Sequence, residues 1–123
     1  MKKVLLLLGI LFSIGSFAQT GDAVTNALKA GDVARFTSYF SNAVDIKLPQ
    51  KDEMKNVNKS DASSVIAGFF SSNNINGFDV ISQREMSGTM YITGKLKGAK
   101  NYNITVMLME TGSNKGVITV RIL

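Results

Sequence analysis

The side chains of this chain that could move a proton or hold a charge within regular elements include Asp45, Asp79, Arg84, Glu85, Glu110 and Arg121, with the phenols of Tyr39, Tyr91 and Tyr102. Acid–base chemistry needs two such groups converging in a dry pocket, where burial and mutual charge push their pKa values apart. Their spacing in the sequence gathers no pair, so most are read as facing water and no catalytic residue is assigned. The enzymatic arrangement left open is a tyrosine with a carboxylate, for example Tyr39 with Asp45, acting on a small apolar substrate. Tyr39, Asp45 and Tyr102 are the candidates for contact with a ligand.

Whole classes of mechanism are missing. The chain has no histidine and no cysteine, which removes the commonest general base, thiol nucleophiles, the usual zinc sites and a lipid-bearing cysteine. Asp52, Glu53 and Asp61 lack the alternating oxygen-ligand spacing of a calcium loop. Gly88, Gly94, Gly98, Gly112 and Gly116 read as turn glycines and none opens a helix after a strand, as a phosphate loop requires. No metal and no cofactor are expected. The basic residues are scattered without an aromatic platform, so nucleic acid is not an expected partner either.

The elements that must position these side chains begin after a targeting segment. Lys2 and Lys3 precede the apolar run Val4 to Phe12, and Ser16-Phe17-Ala18 offers small residues at a cleavage site, the pattern of a secretory signal peptide. Residues 1–18 are therefore expected to be removed, leaving residues 19–123 as a single α+β domain that is exported, periplasmic or secreted, with no membrane anchor. Loss of Lys2 and Lys3 lowers the formal net charge from +5 to +3. With no disulfide available, stability has to come from packing.

Asp22 is expected to cap a helix from Ala23 to Ala30 that Gly31 stops, and Asp32 restarts a second helix reaching about Phe40. Val44, Ile46 and Leu48 alternate with charged residues as a half-buried strand ending at Pro49, and Gln50 to Lys59 reads as an exposed excursion. Ser60 is the expected N-cap of a central helix on which Ala62, Val65, Ile66, Phe69 and Phe70 make one apolar stripe. Four β-like runs follow, Phe78–Gln83, Thr89–Leu96, Tyr102–Glu110 and Gly116–Leu123, joined by short polar turns as an antiparallel meander. Their core face would carry Met90, Ile92, Tyr102, Ile104, Val106, Leu108, Ile118, Val120 and Ile122. The opposite face is rich in Thr and Met where a wet face would carry charge, and Tyr91, Thr105, Met107, Thr119 and Arg121 are expected there as a homodimer interface.

The segments Gly31-Asp-Val-Ala-Arg-Phe-Thr-Ser-Tyr-Phe-Ser41, Val44-Asp-Ile-Lys-Leu-Pro49 and Lys59-Ser-Asp-Ala-Ser-Ser-Val-Ile-Ala-Gly-Phe-Phe70, with the closing strand Val117-Ile-Thr-Val-Arg-Ile122, carry a resemblance. The chain resembles the nuclear-transport-factor-2-like superfamily and, more narrowly, a group of small secreted bacterial proteins of unknown function within it. The resemblance implies a cone, also called cystatin-like, in which a curved antiparallel sheet wraps around N-terminal helices and one central helix. Such a cone can keep a pocket at its open end, and members include isomerases, dehydratases and non-catalytic modules that bind or dimerise, so the fold does not choose a function. The absence of histidine departs from the dehydratase-like pattern. The expected function is an exported non-catalytic module binding a small apolar ligand, a peptide or a protein. The alternatives are an isomerase- or dehydratase-like enzyme using Tyr and carboxylate residues, and a structural dimer whose cone is filled by Phe36, Phe40, Phe69 and Phe70.

Overall fold

In a computed structural model, residues 16–110 and 115–123 of the protein are described. Most of the expected signal peptide, and most of the hairpin loop expected over 111–115, fall outside them. The described elements are α1 (Ser16–Lys29), α2 (Val33–Ser38), β1 (Phe40–Lys47), β2 (Met54–Asn58), α3 (Lys59–Ser72), β3 (Gly77–Met86), β4 (Thr89–Lys97), β5 (Tyr102–Met109) and β6 (Gly116–Ile122). None of the described helices is long and apolar enough to cross a membrane.

The helix α1 is longer than its sequence signals suggested. Asp22 lies inside it instead of capping it, and accepts a hydrogen bond from Gln83 Nε2 at 3.0 Å. Thr25 Oγ1 donates to Gln83 Oε1 at 2.9 Å, so one β3 amide ties α1 to the sheet. Gly31 does end the helix: it takes φ +66°, its N–H bonds Leu28 O at 3.0 Å and that of Asp32 bonds Ala27 O at 2.9 Å. This pair of bonds is the left-handed glycine stop that satisfies the last carbonyls of a helix. Asp32 then caps α2, its Oδ1 accepting from Arg35 N at 3.1 Å.

Six strands form one sheet in the order β2-β1-β6-β5-β4-β3. The β3-β4-β5-β6 part is an antiparallel meander, whereas β1 joins β6 in parallel. The stretch read as an exposed excursion supplies β2, which pairs antiparallel with β1. Register shifts interrupt β1, β3 and the β5/β6 pair, and such bulges bend a sheet and increase its twist. The shift after Met107 places Val117 opposite Leu108, so Val117 is buried and Ile118, expected in the core, is only half-buried. Gly94 is no turn glycine. It lies inside β4 beneath the Phe78 ring, where a Cβ would collide with that ring and with Asp79 O.

The three helices cover the sheet's apolar face and the core fills the space between them. Phe36, Phe40 and Phe70 meet there: the Phe36 and Phe40 rings cross edge-on at 5.3 Å, and those of Phe36 and Phe70 stack at 6.2 Å. Three of the four phenylalanines expected to plug the cone therefore do so. Phe69 packs only at the edge of that core, partly buried; its position is part of the site.

Candidate functional site

On α3, Ala62, Ile66 and Phe70 are buried, spaced i, i+4 and i+8 along one helix face. Val65 and Phe69 are only half-buried, because a stripe this wide cannot turn all its residues to the same core. Together with Ser64, Gly68 and Ser72 they form a second face of α3 that walls a cleft of about 890 Å³. That volume falls within the range of about 300–1,000 Å³ usual for small-molecule sites. Two other surface depressions are smaller, about 430 and 400 Å³.

The sheet topology explains where the cleft lies. Pairing of Lys47 with Arg121 brings the end of β1 to the end of β6, and the Asn103 N–H bonds Leu123 O at 3.0 Å, bringing in the start of β5. Two strands end and a third begins at this rim, and α3 lies across it. Leu48 to Lys51 form one side, Lys100 to Tyr102 another, and Leu123 closes the sheet end.

The aromatic wall is fixed in place. The Phe69 and Tyr102 rings meet edge to face at 5.1 Å, and Tyr102 OH donates to Asn73 Oδ1 at 2.9 Å. Asn73 is held in turn, its Nδ2 donating to Phe69 O at 2.9 Å while its own carbonyl accepts from Ala99 N at 2.9 Å. Gly68 adds room, since a Cβ there would meet nothing within 4 Å. The wall thus combines apolar surface with hydrogen-bonding amides and hydroxyls, the usual composition of a small-molecule site. Among its side chains the charged groups are Lys51 and Lys100, and no carboxylate side chain lines it.

The sequence candidates separate. Tyr102 is in the cleft. Tyr39 caps α2 and borders a different depression beside Phe17 and Glu110. Asp45 projects from the face of β1 opposite buried Val44 and Ile46, where its Oδ1 accepts from Asn56 N at 2.8 Å. Tyr39 and Asp45 therefore do not converge on one pocket. Among the described residues no three of Asp, Glu, His or Cys are grouped as a metal site. On the outer sheet face, Tyr91, Met107 and Thr119 align across three strands, with Thr105 and Arg121 in the neighbouring row. Arg121 reaches Glu53 at 3.8 Å. Sequence reasoning missed Gly68, Phe69, Asn73, Lys51 and Lys100 as cleft residues. The usable signal was Ser64, Gly68 and Ser72 at helical spacing beside the apolar stripe, small groups where a packed helix face would carry bulk.

The family model described as "Domain of unknown function (DUF4783)" matches residues 21–122. None of the curated proteins matches the chain. Among solved structures, a DUF4783 family protein from Bacteroides ovatus ATCC 8483 is 24% identical with a TM-score of 0.73, over 81% of this chain and 90% of that one. An NTF-2 like protein of unknown function from Burkholderia xenovorans LB400 is 10% identical, TM-score 0.67, over 91% of this chain and 84% of the other. An uncharacterized cystatin fold protein from Novosphingobium aromaticivorans is 14% identical, TM-score 0.61, over 85% and 95%. At these identities the likeness is one of fold, and it is the nuclear-transport-factor-2-like, cystatin-type α+β fold that the sequence motifs implied.

Proposed function

This chain belongs to the DUF4783 family, and from that premise we propose that it is an exported, non-catalytic module that holds a small, largely apolar molecule in the cleft beside α3. The observation that carries this reading is the outward turn of Val65, Gly68 and Phe69 onto about 890 Å³ of space. A helix face with that much apolar surface is ordinarily covered, and here the sheet core is already filled by Phe36, Phe40 and Phe70. A binding role fits the chemistry better than a catalytic one: the phenol of Tyr102 is committed to Asn73, and no carboxylate side chain faces it in the cleft. Export rests on Lys2, Lys3, the apolar run and the Ser16-Phe17-Ala18 site. The outer sheet face around Met107 is proposed as a contact with a second copy.

The test is a fluorescence titration of the mature chain with N-phenyl-1-naphthylamine, an apolar probe that brightens out of water. Intact mass of the exported protein is checked first and is expected to show a chain starting at Gln19; retention of residues 1–18 contradicts export. The probe is expected to bind at micromolar concentration, about −8 kcal/mol. Gly68→Leu, which fills the cleft from a position with open space, is expected to abolish binding while the thermal midpoint is kept. Absence of binding by the wild type, or undiminished binding by Gly68→Leu, contradicts the reading.

A further inference from the structure

We infer that the molecule taken up by this cleft is an amphipathic anion, with an apolar body against α3 and one carboxylate, sulfonate or phosphate group between Lys51 and Lys100. The inference rests on the reading of the cleft as a ligand site and adds the charge of the ligand. Its first support is the distribution of charge at the rim. Lys51 and Lys100 come from different segments, one following β1 and one preceding β5, yet both line the same cleft, and no Asp or Glu side chain lines it.

The second support is that both ammonium groups are left over by the fold. The salt bridges among the described residues pair Lys97 with Asp79 at 2.7 Å and Arg121 with Glu53 at 3.8 Å, and neither involves Lys51 or Lys100. Both side chains are exposed. At the same rim Leu123 O accepts from the Asn103 N–H at 3.0 Å, and neither lysine is ion-paired with it. Two free cations beside an apolar wall repel each other and an approaching cation, and attract an anion that can bury its body against Val65, Phe69 and Tyr102. Such a ligand satisfies the wall and the rim together. A neutral apolar molecule satisfies only the wall.

The geometry of the wall also bears on the body. The edge-to-face pair of Phe69 and Tyr102 at 5.1 Å lines the cleft, and Gly68 leaves open space at its position. A body that carries a ring can pack against this aromatic wall.

Two probes that share one body separate the charge from the rest: 8-anilinonaphthalene-1-sulfonate and N-phenyl-1-naphthylamine differ by the sulfonate. The sulfonate is expected to bind the wild type about tenfold more tightly, the size of one charge-assisted contact. In Lys51→Gln/Lys100→Gln the ratio of the two affinities is expected to fall to about one. Added sodium chloride is expected to weaken the sulfonate and leave the neutral probe alone. Equal affinity for the two probes in the wild type overturns the anionic inference and leaves the cleft as a site. A sulfonate preference that survives the double substitution also overturns it. If neither probe binds, or Gly68→Leu leaves both unaffected, the ligand-site reading itself falls.

Discussion

Two adjacent phenylalanines on one helix have opposite duties. Phe70 is in the core against Phe36, and Phe69 faces the cleft against Tyr102. Truncation should show the difference. Phe36→Ala, at a fully buried position, is expected to cost about 3–5 kcal/mol in denaturant melts. Phe69→Ala is expected to cost about 1–2 kcal/mol, since its side chain is only partly buried at the edge of the core and a partial burial contributes less than a full one, and to weaken probe binding. Equal costs for the two would mean that Phe69 is a core residue. Periodicity placed both on an apolar stripe and could go no further, because the period of a helix identifies a face but not what the face meets. Tyr102 raises the same difficulty. Its position in the sequence suits both a core face and a ligand contact, and its partner Asn73 lies at the end of a different element, a contact that only the closed fold creates.

Helices and meander strands were legible for local reasons. The Gly31 stop, the Asp32 cap and the alternating strands after Phe78 each follow from a few neighbouring residues, and all three are present. The helix α3 starts two residues earlier than a Ser60 cap would place it. Asn58, not Ser60, caps it: Asn58 Oδ1 accepts from Asp61 N at 2.9 Å, and Asn58 Nδ2 donates to Asp61 Oδ2 at 3.0 Å. This reciprocal pair outcompetes a serine that has no such partner. Asn58→Ala is accordingly expected to lower stability by about 1 kcal/mol, with Ser60→Ala close to neutral. The reverse order in melts would restore Ser60 as the cap. The strand β2 was not legible. Its Met54 and Val57 do not alternate, Asn56 has φ 53°, and its pairing depends on β1 crossing beside it. Nor did any local pattern announce the parallel β1/β6 pair, which joins opposite ends of the domain.

At the scale of the molecule, two surfaces carry the proposed contacts: the cleft at the sheet end and the outer face of the sheet. The outer face carries Tyr91, Met107 and Thr119 in one cross-strand row, half-buried in the single chain. If a second copy covers it, Met107→Glu places like charges near a two-fold axis, and the wild-type dimer is expected to sediment as a monomer after the substitution. A wild type that is already monomeric at high concentration contradicts that contact.

The central claim is that the cleft beside α3 holds a ligand, and chemical-shift mapping tests it most directly. With the 15N-labelled mature chain titrated with N-phenyl-1-naphthylamine, the amide resonances expected to move are those of Val65, Gly68, Phe69, Asn73, Lys100 and Tyr102, which surround one space. Shifts confined instead to Tyr39, Glu110 and Lys115 around the second depression, or to the outer sheet face, would contradict the account.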